Sequence, residues 1–105
     1  MAEIMYNKLV RDKIPEIIEA DGKKCEIEIL SDERYLKALD AKLNEELEEY
    51  HKDQNIEELA DLLEVIYACA EARGSSKEEL ERVRAGKAEK RGGFVKKILL
   101  KKVVE

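Results

Sequence analysis

The chain has no tryptophan, one phenylalanine and four tyrosines, so it is short of the aromatic faces on which unpaired bases stack. Its two cysteines, Cys25 and Cys69, are far apart in sequence and form no metal-type or redox-type pair. The plain expectation is two free thiols in a reducing cytoplasm. No run of residues is apolar for the length of a membrane span. Over residues 1–18, Lys8, Arg11, Asp12, Lys13 and Glu16 interrupt any apolar stretch that might serve as a signal peptide.

Charge is what the chain has in abundance. Apolar residues make up 44%, which excludes simple disorder, and charged residues 43%, which requires a heavily charged surface. A length of 105 residues predicts one domain, 1–105, near the size at which burying surface against a second copy helps stability. The net charge of −5 hides an asymmetry. Glu26 to Glu64 carries 14 acidic side chains against 4 basic, whereas Arg82 to Lys102 carries 9 basic against the single acid Glu89. The acidic bulk opposes binding of a nucleic-acid polymer, despite the basic end.

Periodicity predicts a mainly α, small antiparallel helical bundle. A short helix fits Ile14 to Ala20, with Pro15 in its first turn and Asp21-Gly22 ending it. A main helix follows from about Asp32 to Tyr50, capped by Ser31, with Leu36, Leu39, Leu43, Leu47 and Tyr50 on one stripe. Asn55 caps the next helix, with Glu58 three residues on, and that helix runs to Arg73 before Gly74. Ser75-Ser76 with Glu79 opens a third long helix ending near Arg91-Gly92-Gly93. Residues 25–30 alternate in polarity, and residues 94–100 lack a helical stripe, so a short two-stranded β ribbon between them is expected.

Helical geometry sorts the acids of Leu43-Asn-Glu-Glu-Leu-Glu-Glu-Tyr50. At about 100° per residue, Glu46 falls about 60° from the centre of the apolar stripe with Glu49 beside it, while Glu45 and Glu48 fall roughly 140° or more away and face water. In the next helix, Leu59 to Ala70 is apolar nearly all round, interrupted by Asp61 and Glu64. A helix apolar on every side is a buried one, and an unpaired carboxylate there is costly. Glu58 lies one turn before Asp61 on the same face, where like charges repel unless a cation lies between them. Two such pairs on antiparallel neighbours make a set of hard oxygen donors suited to Mg²⁺ or Mn²⁺ rather than zinc. Against this stands the commonest fate of Glu-rich runs, a solvated helical face, which is the reading for Glu45, Glu48 and Glu57.

Glu46-Leu-Glu-Glu49 followed by Glu58-Leu-Ala-Asp61 resembles the Glu-x-x-Glu … Glu-x-x-Asp motif of the all-α nucleoside triphosphate pyrophosphatases, the MazG-like superfamily that includes phosphoribosyl-ATP pyrophosphohydrolase. Tyr6-Asn-Lys-Leu-Val-Arg-Asp-Lys-Ile-Pro15 and Lys90-Arg-Gly-Gly-Phe94 resemble a compact single-domain subgroup. The likeness spans almost the whole chain, with one departure: only eight residues separate Glu49 from Glu58, where many relatives have a longer connection. The resemblance implies a metal-dependent enzyme that hydrolyses a nucleoside triphosphate between the α- and β-phosphates. Glu46, Glu49, Glu58 and Asp61 would hold Mg²⁺, and Glu46 or Glu49 would orient the attacking water.

Phosphate contacts are assigned to Lys90 and Arg91, which otherwise serve as favourable charge at a helix C-terminus, and to Lys8, Arg11 and Lys13, which otherwise pair at the surface, Arg11 with Asp12. Leu36, Leu39, Leu43, Leu62, Leu63 and Ile66 belong to core or subunit packing, and Tyr50 and Tyr67 to its edges. Two or three helices enclose a nucleotide poorly, so a homodimer or higher oligomer is expected. Two other readings stay open: action on phosphoribosyl-ATP, and a non-catalytic helical dimer that binds nucleotides or protein partners.

Overall fold

Each long helix starts where a side-chain oxygen satisfies a backbone N–H that the helix itself cannot pair. In the computed structural model, which describes residues 2–105, the helices are α1 (Ile14–Ala20), α2 (Asp32–Asp53), α3 (Ile56–Ala72) and α4 (Lys77–Arg91). Ser31 Oγ accepts from Arg34 N at 3.3 Å, Asn55 Oδ1 from Glu58 N at 2.9 Å, and Ser76 Oγ from Glu79 N at 3.0 Å. The mainly α architecture expected from periodicity is therefore present, and α1 has the predicted bounds.

α2 runs one turn past Tyr50. His51 and Lys52 in that turn oppose the negative end of the helix dipole, and Gln54 closes the helix in the left-handed region, φ 51°, with its N–H on Tyr50 O. Only Gln54 and Asn55 then separate α2 from α3. Left-handed backbone costs a residue with a Cβ about 1 kcal/mol or more, so Gln54→Gly is expected to stabilise the protein by up to about that amount, offset in part by the freer unfolded chain. Urea unfolding at fixed protein concentration checks this.

α2 packs against α3, and α4 touches only α3, near the turn at Gly74 that joins them. Leu39 and Val65 are the only buried apolar residues among those described. α4 is charged around much of its girth and carries its own Arg82–Glu79 and Arg84–Glu81 ion pairs, one turn apart.

The expected β ribbon is absent among the described residues. Residues 25–30 and 94–100 are irregular and share no backbone hydrogen bond. Alternation specifies a wet and a dry face, but a strand persists only with a paired edge and a surface to cover its dry face. Neither is available here: Ile29 is 87% and Val95 90% exposed.

The expectation that α3 is buried on every side is also not met within one chain. Val65 faces α2, whereas Ile56, Leu59 and Leu63 are exposed at 72%, 41% and 44%. At about 100° per residue these three form one stripe, roughly 140° round the helix from Val65. The chain as a whole exposes 10008 Å², against about 6,000 Å² for a compact protein of 12.1 kDa. It spans 66 × 31 × 24 Å. No helix among the described residues is long and apolar enough to cross a membrane, and both cysteines are free thiols.

Candidate functional site

The two-residue turn folds α3 back along α2 and brings their carboxylates together. Carboxylate oxygens of Glu46, Glu58 and Asp61 all lie within 4.8 Å of one another. So do those of Glu49, Asp53 and Glu58. Glu58 belongs to both groups, so five acids form one cluster with Glu58 at its centre. Four are the residues singled out by helical angle and spacing. The fifth, Asp53, was missed because α2 was expected to end at Tyr50; its position one turn after Glu49 is legible only once the helix is known to extend.

Cations surround this cluster on one side. Arg11 Nη2 donates to Asp61 Oδ1 at 2.7 Å, linking the N-terminal segment to α3. Lys8 Nζ donates to Glu45 Oε1 at 2.9 Å, linking the same segment to α2. Lys42, one turn before, lies 3.4 Å from Glu45 and 3.2 Å from Glu46. Arg11 thus pairs with Asp61 and not with its sequence neighbour Asp12. Asp61 itself has a side chain 42% exposed, so it is not enclosed as an all-round apolar helix implies. Glu45, expected to face water, is half-buried and held by two lysines. Lys42 carried no sequence signal beyond its i,i+3 and i,i+4 spacing to the acids.

The remaining sequence candidates stand apart. Lys13 caps the N-terminus of α1 by position, is exposed, and forms no ion pair among the described residues. Lys90 and Arg91 occupy the last turn of α4, where their charge opposes the helix dipole. α4 makes no contact with α2, and no ion pair joins either residue to the carboxylates.

Electrostatics separate the acids. Burial works to raise the Glu45 carboxyl, but the hydrogen bonds and charges of Lys8 and Lys42 outweigh it and hold the group below its ordinary range. The Lys8 ammonium is correspondingly raised, by its hydrogen bond to Glu45 first and then by that residue's charge. Glu58 moves the other way: desolvation, then repulsion from Asp53, Asp61, Glu49 and Glu46, lifts its carboxyl. The ionised form of Glu58 is therefore disfavoured by the fold, so it lowers stability at pH above the raised pKa, and the penalty is relieved as pH falls through it. Glu58→Gln is expected to raise the melting temperature of the metal-free protein at neutral pH, with the gap from wild type closing by about pH 4. Paired thermal melts across that range check the sign.

Three features bear on what the site can hold. Its donors are all carboxylate oxygens, the ligand class of Mg²⁺, Mn²⁺ and Ca²⁺. They come from the facing sides of two helices, as in bundle-core metal sites. One acid common to both groups has surplus negative charge around it, the condition a divalent cation relieves. Exposure varies across the site: the Glu46 side chain is 12% exposed and that of Asp61 42%. Two shallow concavities of about 540 and 390 Å³ lie elsewhere, beside Tyr67 and Lys77 and beside Ile17 and Lys23, and contain none of the five acids.

Comparison with known proteins adds little to this geometry. No family model matches the chain, and no solved structure matches it. An uncharacterised protein of Mycolicibacterium smegmatis is 57% identical over 42 residues, 40% of this chain and 43% of that protein. The matched stretch spans less than half of either partner.

Proposed function

We propose that the chain is a Mg²⁺-dependent nucleotide pyrophosphohydrolase, acting as a homodimer or larger homo-oligomer, that cleaves a nucleoside triphosphate between its α- and β-phosphates to give a monophosphate and pyrophosphate. The observation that carries this reading is the convergence of Glu46, Glu49, Asp53, Glu58 and Asp61 from two antiparallel helices into overlapping groups of oxygen donors. Glu46, Glu58 and Asp61 would hold one ion, and Glu49 and Asp53, with Glu58 shared, a second. Mg²⁺ so held supplies neutralisation of phosphate charge and a lowered pKa for attacking water.

The chain's own groups account for the rest. Glu46 or Glu49 orients the water and takes its proton, since each has a second carboxylate oxygen free for that contact when one is used as a ligand. Arg11, with a planar fork that suits two oxygens, and Lys8, with the N–H donors left over from its bond to Glu45, lie at the rim of the cluster and meet the phosphate oxygens. Lys13 makes no ion pair with this constellation, and Lys90 and Arg91, on a helix that does not touch α2, would meet a substrate across a subunit boundary. The proposed second copy would complete the pocket, because two helices by themselves neither exclude water nor grip a base. The excess exposed surface described above, roughly 4,000 Å² on one chain, exceeds the share that one partner contributes to a typical obligate interface.

The decisive measurement is release of pyrophosphate from a panel of nucleoside triphosphates and phosphoribosyl-ATP, with and without Mg²⁺. Metal-dependent release from a nucleoside triphosphate is the expected result. Release from phosphoribosyl-ATP alone would move the activity to that substrate. No release from any, together with thermal stabilisation by Mg²⁺ and nucleotide, would leave a binding module in place of an enzyme.

A further inference from the structure

The N-terminal segment crosses the hairpin as a strap, and its two ends are anchored by different helices: Lys8 on Glu45 of α2 and Arg11 on Asp61 of α3. Three residues of chain reach at most about 10 Å, and the long Lys8 and Arg11 side chains extend that reach, so the segment can span the 8–10 Å between packed helix axes. Leu9, between the anchors, is half-buried. The two anchors differ in one respect. Glu45 belongs to neither carboxylate group, whereas Asp61 is a member of the group with Glu46 and Glu58.

We propose that Arg11 and a divalent cation are alternative partners of Asp61, so that filling the carboxylate group releases the Arg11 guanidinium to bind a phosphate oxygen of the incoming substrate. The exchange rests on the metal-site reading above. It regulates that site by making the phosphate-binding cation available only when the metal is in place.

Charge and exposure support the exchange. Without metal, Arg11 and Lys42 neutralise two of the three carboxylates, which lets the group persist as a cluster. The Arg11–Asp61 pair is half-exposed on both sides, 57% and 42%, and exposed pairs of this kind are weak. An ion held by several carboxylates at once displaces it readily. The Lys8–Glu45 anchor and Leu9 lie outside the exchange, so they keep Arg11 within side-chain reach of the cluster after its head group lets go. A guanidinium fork then faces the site where anionic oxygens must approach, the geometry that favours Arg over Lys for phosphate.

Calorimetric titration of Mn²⁺ alone, and then of the Mn²⁺–tripolyphosphate complex, tests this on wild type, Arg11→Gln and Arg11→Lys, each first checked for wild-type helix content. Arg11→Gln is expected to bind Mn²⁺ alone about two- to fivefold more tightly, because the competing cation is gone, and Mn²⁺–tripolyphosphate about tenfold or more weakly, because a charge-assisted phosphate contact is lost. A purely structural role for Arg11 moves both affinities in the same direction, and that result overturns the exchange. Equal Mn²⁺ affinity in wild type and Arg11→Gln also overturns it, while leaving the metal site standing. Absence of Mn²⁺ binding by wild type overturns the site and the exchange together. If Arg11→Gln fails to fold, Arg11→Lys decides: weaker tripolyphosphate binding at unchanged Mn²⁺ affinity is expected, and wild-type binding of both overturns the phosphate role.

Discussion

Asp61→Asn is expected to lower Mg²⁺-dependent pyrophosphate release by about a hundredfold or more, while Glu48→Gln leaves it near wild type. Asparagine keeps the shape and one oxygen donor but removes the negative charge, and metal stabilisation of phosphate charge contributes several kcal/mol to a transition state of this kind. Glu48 is the proper control: it lies on the same acidic run but is exposed and belongs to neither carboxylate group. Glu45 would serve badly, because Lys8 and Lys42 both bind it and its loss would loosen the strap and free a lysine beside Glu46. Asp61→Asn also removes the partner of Arg11, so the rate should be read beside Mn²⁺ affinity. A fall in rate with unchanged metal affinity would remove Asp61 from the ligand set; unchanged rate in both variants would sink the site.

Leu63→Glu is expected to convert the proposed homo-oligomer to single chains, taking the mass from twice the 12.1 kDa chain, or a higher multiple, down to one. The residue sits near the middle of α3 and ends the exposed stripe of Ile56, Leu59 and Leu63, on the side of the helix away from α2. A carboxylate at the centre of an apolar contact is left buried and unpaired, at a cost of several kcal/mol, and a symmetric interface meets that cost twice. Light scattering across a range of protein concentrations measures the change. A wild type that is already a single chain at high concentration would refute the assembly. Since Leu63 makes no part of either carboxylate group, the separated variant should keep Mn²⁺ binding even as nucleotide affinity falls.

The helix starts were legible because each uses local chemistry. Ser31, Asn55 and Ser76 each cap the N–H three residues on, a relation visible in the sequence. The end of α2 was not, because Gln54 takes a left-handed conformation that glycine or asparagine would have announced. That single uncertainty concealed Asp53. The carboxylate face followed from helical angle, which depends only on residue spacing. The partners of those acids did not: Arg11 and Asp61 are 50 residues apart, and no periodic pattern relates them. The β-patterned segments and the all-round apolar character of α3 raise a different difficulty. Both patterns describe surfaces suited to burial, and the chain covers only part of them.

The two-residue turn has a kinetic consequence. Glu49, Asp53 and Glu58 lie within ten positions of one another around it, so these three donors can meet as soon as the hairpin closes, a local event far faster than encounter between molecules. On this account a newly made chain acquires one of its donor groups before it finds a partner. A cation captured at that stage would tie the two helices together early and hold α3 in the orientation that presents its uncovered stripe.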